Sequence, residues 1–282
     1  MIFWIASYPK SGNTWMRALL SAYFFSDDGI FNQNLLKYIG QFPQKKFLKE
    51  FNYNPNLVAD TSKFWIKAQE KINLNKQVNF FKTHNILGAI GENNFTNAKN
   101  TIGCIYIVRD PRNVITSLKN HYELNYNEAL SFMKNDRKFI YDYNLKNDYS
   151  DFQFISSWEN HFKSWKNQNF IKVKFIKYED LYEKTYTVFK DVIEFIIYIC
   201  NFKQQFQKQK AIRAIDSTNF SKLSEMEKKI GFNEAIQSKK NNNKIPFFYM
   251  GINNDWTKII EKDFQKKLTT EFSAGLRELL YI

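Results

Sequence analysis

The sequence predicts an α/β protein of three layers, a central and mostly parallel sheet flanked by helices. Three observations point that way. Met1 to Ala6 (Met-Ile-Phe-Trp-Ile-Ala) is a short apolar run of β-formers, and it passes through a Gly/Ser/Pro loop into Met16 to Phe25, a helical stretch with no breaker. Ile102 to Val108 is nearly continuous in apolar residues, as a strand covered on both faces should be. At 282 residues the chain can bury a full core, and no Pro/Gly/Ser-rich linker or internal repeat divides it. One domain over residues 1–282 is expected.

In chain order, Asp27 to Pro55 is rich in Asn, Gln and aromatics, with Pro43 and Pro55 as breakers, and reads as irregular with short helices. Thr61 to Glu70 places Phe64, Trp65 and Ala68 on one side of a helix. Val78 to Phe81 is a short strand ending in Lys82-Thr83-His84. Open α/β sheets keep their chemistry just beyond the carboxyl ends of strands. Ile102 to Val108 opens into Arg109-Asp110-Pro111-Arg112-Asn113 and a helix to about Tyr122, with Pro111 suited to its first turn. Glu123 to Ser150 is polar and tyrosine-rich, a helix with a loop and a candidate lid or acceptor surface. Phe154 to Trp165 predicts an amphipathic helix with Trp158, His161, Phe162 and Trp165 on the sheet side, so His161 reads as packing. His121 lies near the end of the helix carrying Ser117 and receives no role. Lys172 to Ile176 is a strand, and Asp180 after it suits a helix N-cap. Thr187 to Asn201, Leu223 to Ile230 and Glu261 to Leu280 complete the predicted helices.

Composition narrows the function classes. The formal net charge of +13 makes an anion-attracting surface. The lysines are dispersed and no nucleic-acid module is present, so nucleic acid is not an expected partner. Cys104 and Cys200 stand in apolar contexts without a Cys-x-x-Cys spacing, which predicts two buried small hydrophobes and no zinc site. The apolar amino terminus runs straight into a charged loop without a basic stretch before it, so a signal peptide is not expected. Val192 to Cys200, the most apolar later run, is too short to span a bilayer and carries Glu194. A cytoplasmic protein without integral membrane contact is expected, its oligomeric state open to a homodimer.

The loop Ser7-Tyr8-Pro9-Lys10-Ser11-Gly12-Asn13-Thr14-Trp15 is suited to an anion. Backbone N–H groups at the helix start converge where the helix dipole favours negative charge. Lys10 adds a point charge, Ser11, Asn13 and Thr14 add donors, and Trp15 offers a flat face for a base. The order is not G-x-x-x-x-G-K-[ST], because Lys10 precedes Gly12. Tyr8 to Trp15 instead resembles the phosphosulfate-binding loop of the sulfotransferases that use 3′-phosphoadenosine 5′-phosphosulfate (PAPS). That resemblance implies a P-loop-like three-layer sandwich and PAPS as sulfate donor with PAP as product. It also implies no metal, and sulfuryl transfer to an acceptor hydroxyl on a glycan or other small molecule.

Further segments follow in the family's order. Lys82-Thr83-His84 is similar to the segment that carries the catalytic base, which implies His84 as general base and Lys82 as a group holding the sulfonate or acceptor. Lys10 would stabilise the leaving oxygen, with loop N–H groups and Thr14 on the 5′-phosphate. Arg109 and Ser117 match the pair on the 3′-phosphate, a guanidinium fork plus a hydroxyl. Tyr178 matches a tyrosine near the adenine. Thr218 and Phe220 lie in a segment resembling the one that holds the adenine, with Trp15 and Phe220 stacking on the base. Gly251, Asp255 and Trp256 fit a closing loop of the form Phe-Phe-Arg-Lys-Gly-x-x-Gly-Asp-Trp. Tyr249 and Met250 depart from its Arg-Lys, and Asn254 from its second glycine. A charge-assisted bond is worth roughly 1.5–3 kcal/mol, so the Gly251 N–H, the Tyr249 hydroxyl, or Lys239, Lys240 and Lys244 would have to compensate. The alternatives are a P-loop-type kinase, with Asp110 as candidate magnesium ligand, and a non-catalytic nucleotide-binding protein on the same fold.

Overall fold

A computed structural model describes residues 1–142, 147–238, 241 and 243–282. Its main sheet contains β1 (Ile2–Ser7), β2 (Ile39–Gln41), β3 (Asn79–Thr83), β4 (Thr101–Val108) and β5 (Val173–Lys177), in the order β2-β3-β1-β4-β5. Every pairing is parallel. The predicted α/β architecture is therefore present, with β1 at its centre and buried along its whole length.

The helices that matter for the site are α1 (Asn13–Phe25), α2 (Pro111–Tyr122), α3 (Trp158–Lys166), α4 (Thr185–Cys200), α5 (Lys208–Ser217) and α6 (Phe220–Ile230). Alternation along the strands sorts them into two layers. Phe3 and Ile5 of β1, with Ile105 and Ile107 of β4, face Met16, Leu19 and Leu20 of α1 and Phe189, Val192, Ile193 and Ile196 of α4. Ile2, Trp4 and Ala6, with Tyr106 and Val108, face Val114, Ile115 and Leu118 of α2 and Trp158, Phe162 and Trp165 of α3. Successive side chains leave a strand on opposite faces, so one apolar run supplies both cores. Each fully buried large side chain contributes about 1.5–3 kcal/mol of transfer free energy.

Several predicted elements change at their edges. Asp27 to Pro55 contains β2, an edge strand too short to show alternation. The helix predicted over Thr61–Glu70 is two pieces, Val58–Ser62 and Trp65–Asn73. α3 begins at Trp158, where Ser157 caps it by accepting from the Asn160 N–H, and Gln153–Phe154 is extended. Asp180 does not cap its helix, because Lys177 is the residue before the first turn of Tyr178–Glu183. The terminal helix is broken at Phe272. Cys104 and Cys200 are buried and unpaired, as expected. Among the described residues no helix is long and apolar enough to cross a membrane.

Candidate active site

The carboxyl ends of β1, β3 and β4 open into a cleft of about 1610 Å³. Lys10, Gly12, Asn13, Thr14, Trp15, Lys82, His84, Arg109, Ser117, Tyr178, Thr218, Phe220 and Gly251 all line it. Ser11 does not: it is fully buried behind the loop, and its Oγ has no partner.

The loop's shape comes from two residues with positive φ, Lys10 (65°) and Gly12 (100°). Only glycine fits at position 12, since a Cβ there would stand 2.5 Å from Cδ2 of Tyr178. Asn13 Nδ2 donates to the Ile5 carbonyl at 2.9 Å and to Ser7 Oγ at 3.2 Å, so its side chain ties the loop back to β1. Arg109 braces the same loop. Its Nη1 donates to the Lys10 carbonyl at 3.1 Å, and its guanidinium lies 4.2 Å from the centre of the Tyr178 ring. Its Nε is buried without a partner. Lys10 Nζ sits 3.9 Å above the Phe247 ring. Burial draws its pKa down to about 8, with Glu234 opposing and Arg109 reinforcing the shift.

His84 leaves the end of β3 with its ring orientation fixed. Nδ1 lies 2.7 Å from the Ser7 carbonyl, which can only accept, so Nδ1 carries the proton and Nε2 keeps its lone pair. Burial, with Lys82 nearby, lowers its pKa to about 3, leaving the ring neutral at ordinary pH. The His84 N–H donates to Gln153 Oε1 at 2.6 Å. The His84 carbonyl accepts from His161 Nε2 at 3.0 Å. His161 Nδ1 must then accept from the Tyr106 hydroxyl, 2.7 Å away. His161 thus packs as predicted and also holds the backbone of His84. His121 lines the cleft with its ring edge-on to Phe247 at 5.9 Å, and its Nδ1 is buried without a partner.

One carboxylate that the sequence reading missed stands among the cations. Glu234 accepts from Thr14 Oγ1 at 2.7 Å, from Lys82 Nζ at 2.6 Å and from Arg17 Nη1. Burial alone would raise its pKa, but Lys82 and Arg17 outweigh that and hold it well below the usual carboxylate range. Arg17 is itself held from behind, with Nε and Nη2 donating to the Ile39 carbonyl at 3.0 and 2.7 Å. Nothing in the spacing of Arg17 and Glu234 along the chain announces the pair.

At the other end, Asn254 Nδ2 donates to Ser117 Oγ at 3.0 Å and to the Asn113 carbonyl at 3.1 Å, and Thr116 Oγ1 donates to Asn254 Oδ1. The residue in place of the family's glycine therefore covers the hydroxyl assigned to the 3′-phosphate. Gly251 (φ 54°) lies against the Phe220 ring, which a Cβ would approach to 2.7 Å. Trp15 meets Tyr178 edge-on at 5.9 Å. The Thr218 hydroxyl is spent on the Ala214 carbonyl at 2.8 Å. Lys244 and Tyr249 line the cleft, while Lys239 and Lys240 lie outside the described residues. Asp110 caps α2 and forms a buried ion pair with Arg112 at 2.7 Å. Among the described residues no group of three or more His, Cys, Asp or Glu could hold a metal ion.

Comparison with known proteins identifies the class. The sulfotransferase-domain family matches residues 2–281, and the chain belongs to that family. Its backbone is similar to mouse sulfotransferase SULT7A1 complexed with PAP, at 18% identity and a TM-score of 0.55, over 98% of this chain and 83% of that one. It is also similar to retinol dehydratase in a complex with retinol and PAP, at 16% identity and a TM-score of 0.56, over 98% and 81%. The same enzyme with androsterone and inactive cofactor PAP gives 15%, 0.53, and coverage of 98% and 80%. No curated protein sequence matches the chain.

Proposed function

We propose that this chain, acting as one domain over residues 1–282, transfers the sulfuryl group of PAPS to a hydroxyl of a glycan or other small molecule. The observation that carries the reading is the convergence of Lys10, Lys82 and a correctly protonated His84 on one cleft, beside a loop whose N–H groups open the helix. The cleft fits a polyanionic donor: Arg109 Nε is buried and unpaired, and a carboxylate already attracts Thr14, Arg17 and Lys82.

In the reaction His84 Nε2 takes the acceptor O–H proton as that oxygen bonds to sulfur. The bond from sulfur to the bridging oxygen breaks, its electron pair stays on the departing 5′-phosphate, and Lys10 Nζ stabilises the charge that develops there. Lys82 holds the sulfonate oxygens. Trp15 and Phe220 flank the base, and Arg109 and Ser117 face the 3′-phosphate. Asp110 is committed to its cap and its Arg112 partner, which speaks against the magnesium-dependent kinase alternative.

The test is a turnover assay with labelled PAPS and an acceptor screen read by mass spectrometry. His84→Ala and Lys10→Ala each abolish turnover, while His84→Ala keeps PAP binding by calorimetry. Near-normal turnover in His84→Ala removes the assigned base. Binding of ATP–Mg in preference to PAP favours the kinase reading.

A further inference from the structure

Glu234 is the odd group in the cleft. Its three partners come from elements that the family reading assigns to the donor: Thr14 and Arg17 on α1, and Lys82 at the end of β3. Two carboxylate oxygens thereby receive one hydroxyl, one guanidinium N–H and one ammonium, the donor set that a sulfate or phosphate group attracts. Arg17 does not depend on Glu234 for its position, because the Ile39 and Leu36 carbonyls orient its guanidinium and leave Nη1 toward the carboxylate. Glu234 lines the cleft and Arg17 does not, so the carboxylate covers the guanidinium.

The local charge favours exchange. Lys82 and Arg17 bond Glu234, Lys10 lies near enough to be influenced by Glu234, Lys82 and Arg109, and Glu234 and Glu227 are the carboxylates that act on Lys10. Glu227 is engaged elsewhere, accepting from the Phe247 and Phe248 N–H groups at 2.7 and 2.9 Å. The donor's phosphosulfate carries one negative charge on its 5′-phosphate and one on its sulfonate, so as a whole it is held better there than a single carboxylate.

We infer that Thr14, Arg17 and Lys82 form a seat for the donor's phosphosulfate, Thr14 toward its 5′-phosphate and Arg17 and Lys82 toward its sulfonate, and that Glu234 occupies this seat when no donor is bound. The inference rests on the proposed donor chemistry and adds Arg17 as a binding residue and Glu234 as a built-in competitor. Donor binding must displace Glu234, and the apparent affinity is lowered by that displacement.

The experiment titrates inorganic sulfate into the wild-type chain, Glu234→Gln, and the double variant Glu234→Gln/Arg17→Gln, without nucleotide and then with PAP present. The expected result is sulfate binding at least tenfold tighter in Glu234→Gln, with the gain lost on adding Arg17→Gln. Glu234→Ala serves as the second variant, and thermal melting reports its folding. Unchanged sulfate affinity, or a gain that survives Arg17→Gln, overturns the inference. Failure of both Glu234 variants to fold also overturns it, since a displaceable occupant cannot be needed for folding. The two readings separate cleanly. PAP binding to the wild-type chain without a sulfate gain defeats the seat alone, and a sulfate gain in a chain that ignores PAP defeats the nucleotide reading alone.

Discussion

Gly12→Ala separates the backbone requirement of the loop from its contact with Tyr178. Gly12 has φ 100°, and holding a non-glycine residue in a left-handed conformation costs about 1–2 kcal/mol. Its new Cβ would lie 2.5 Å from Cδ2 and 3.0 Å from Cε2 of the Tyr178 ring. Carbon atoms pack near 3.5–4.0 Å, so the ring must retreat by about 1 Å, and overpacking of that kind costs about 1–3 kcal/mol. The sum is about 2–5 kcal/mol, a large part of the 5–15 kcal/mol that holds an ordinary domain together. Tyr178→Ala removes the ring and therefore the second part of the cost, leaving the first. A double-mutant cycle followed by chemical denaturation should give a coupling of about 1–3 kcal/mol. Because Tyr178 also carries the Arg109 guanidinium, Gly12→Ala should weaken PAP binding tenfold or more by calorimetry. Additivity of the two substitutions within about 0.5 kcal/mol would refute the steric account.

Four further outcomes follow from the site. Lys10 has its pKa lowered to about 8 by burial and must be protonated to hold an anion; PAP affinity should be flat below pH 8 and fall about tenfold per unit above it, with proton uptake on binding at pH 9 in buffers of different ionisation enthalpy. His84, lowered to about 3 by burial, stays neutral down to about pH 4, so kcat should show no acid limb near pH 6.5, and such a limb would contradict its placement. His161→Phe removes the donor to the His84 carbonyl and the acceptor for the Tyr106 hydroxyl, and should lower kcat while leaving KM for PAPS near its original value, with partial rescue by His161→Gln; equal loss in both parameters would mark a merely structural role. Asn254→Gly uncovers Ser117, and at roughly 1.5–3 kcal/mol for a bond to a charged group the preference for PAP over AMP should rise about tenfold or more.

The parts of the molecule that were legible in the sequence are those fixed by local patterning. Ile102–Val108 is apolar throughout because both of its faces are covered, and the loop from Tyr8 to Trp15 combines glycine, lysine and hydroxyls in a pattern with few other uses. β2 escaped because three residues at a sheet edge carry no periodicity. α3 begins four residues later than the apolar pattern predicts, because that pattern continues through the extended Gln153–Phe154 while the Ser157 cap sets the helix start. The site partners depend on tertiary contact. Arg17 meets Glu234 from the other end of the chain, and His161 reaches His84 only because α3 crosses the strand ends. Asn254 could be seen to replace a glycine, but not to lay its amide on Ser117.

The central position of β1 also bears on synthesis. Both of its neighbours, Asn79–Thr83 and Thr101–Val108, lie downstream, so the Ile-Phe-Trp-Ile segment leaves the ribosome with no edge to join. At about ten residues per second the wait for its second partner is roughly ten seconds. During that interval an apolar strand of the future core has no neighbour to pair with.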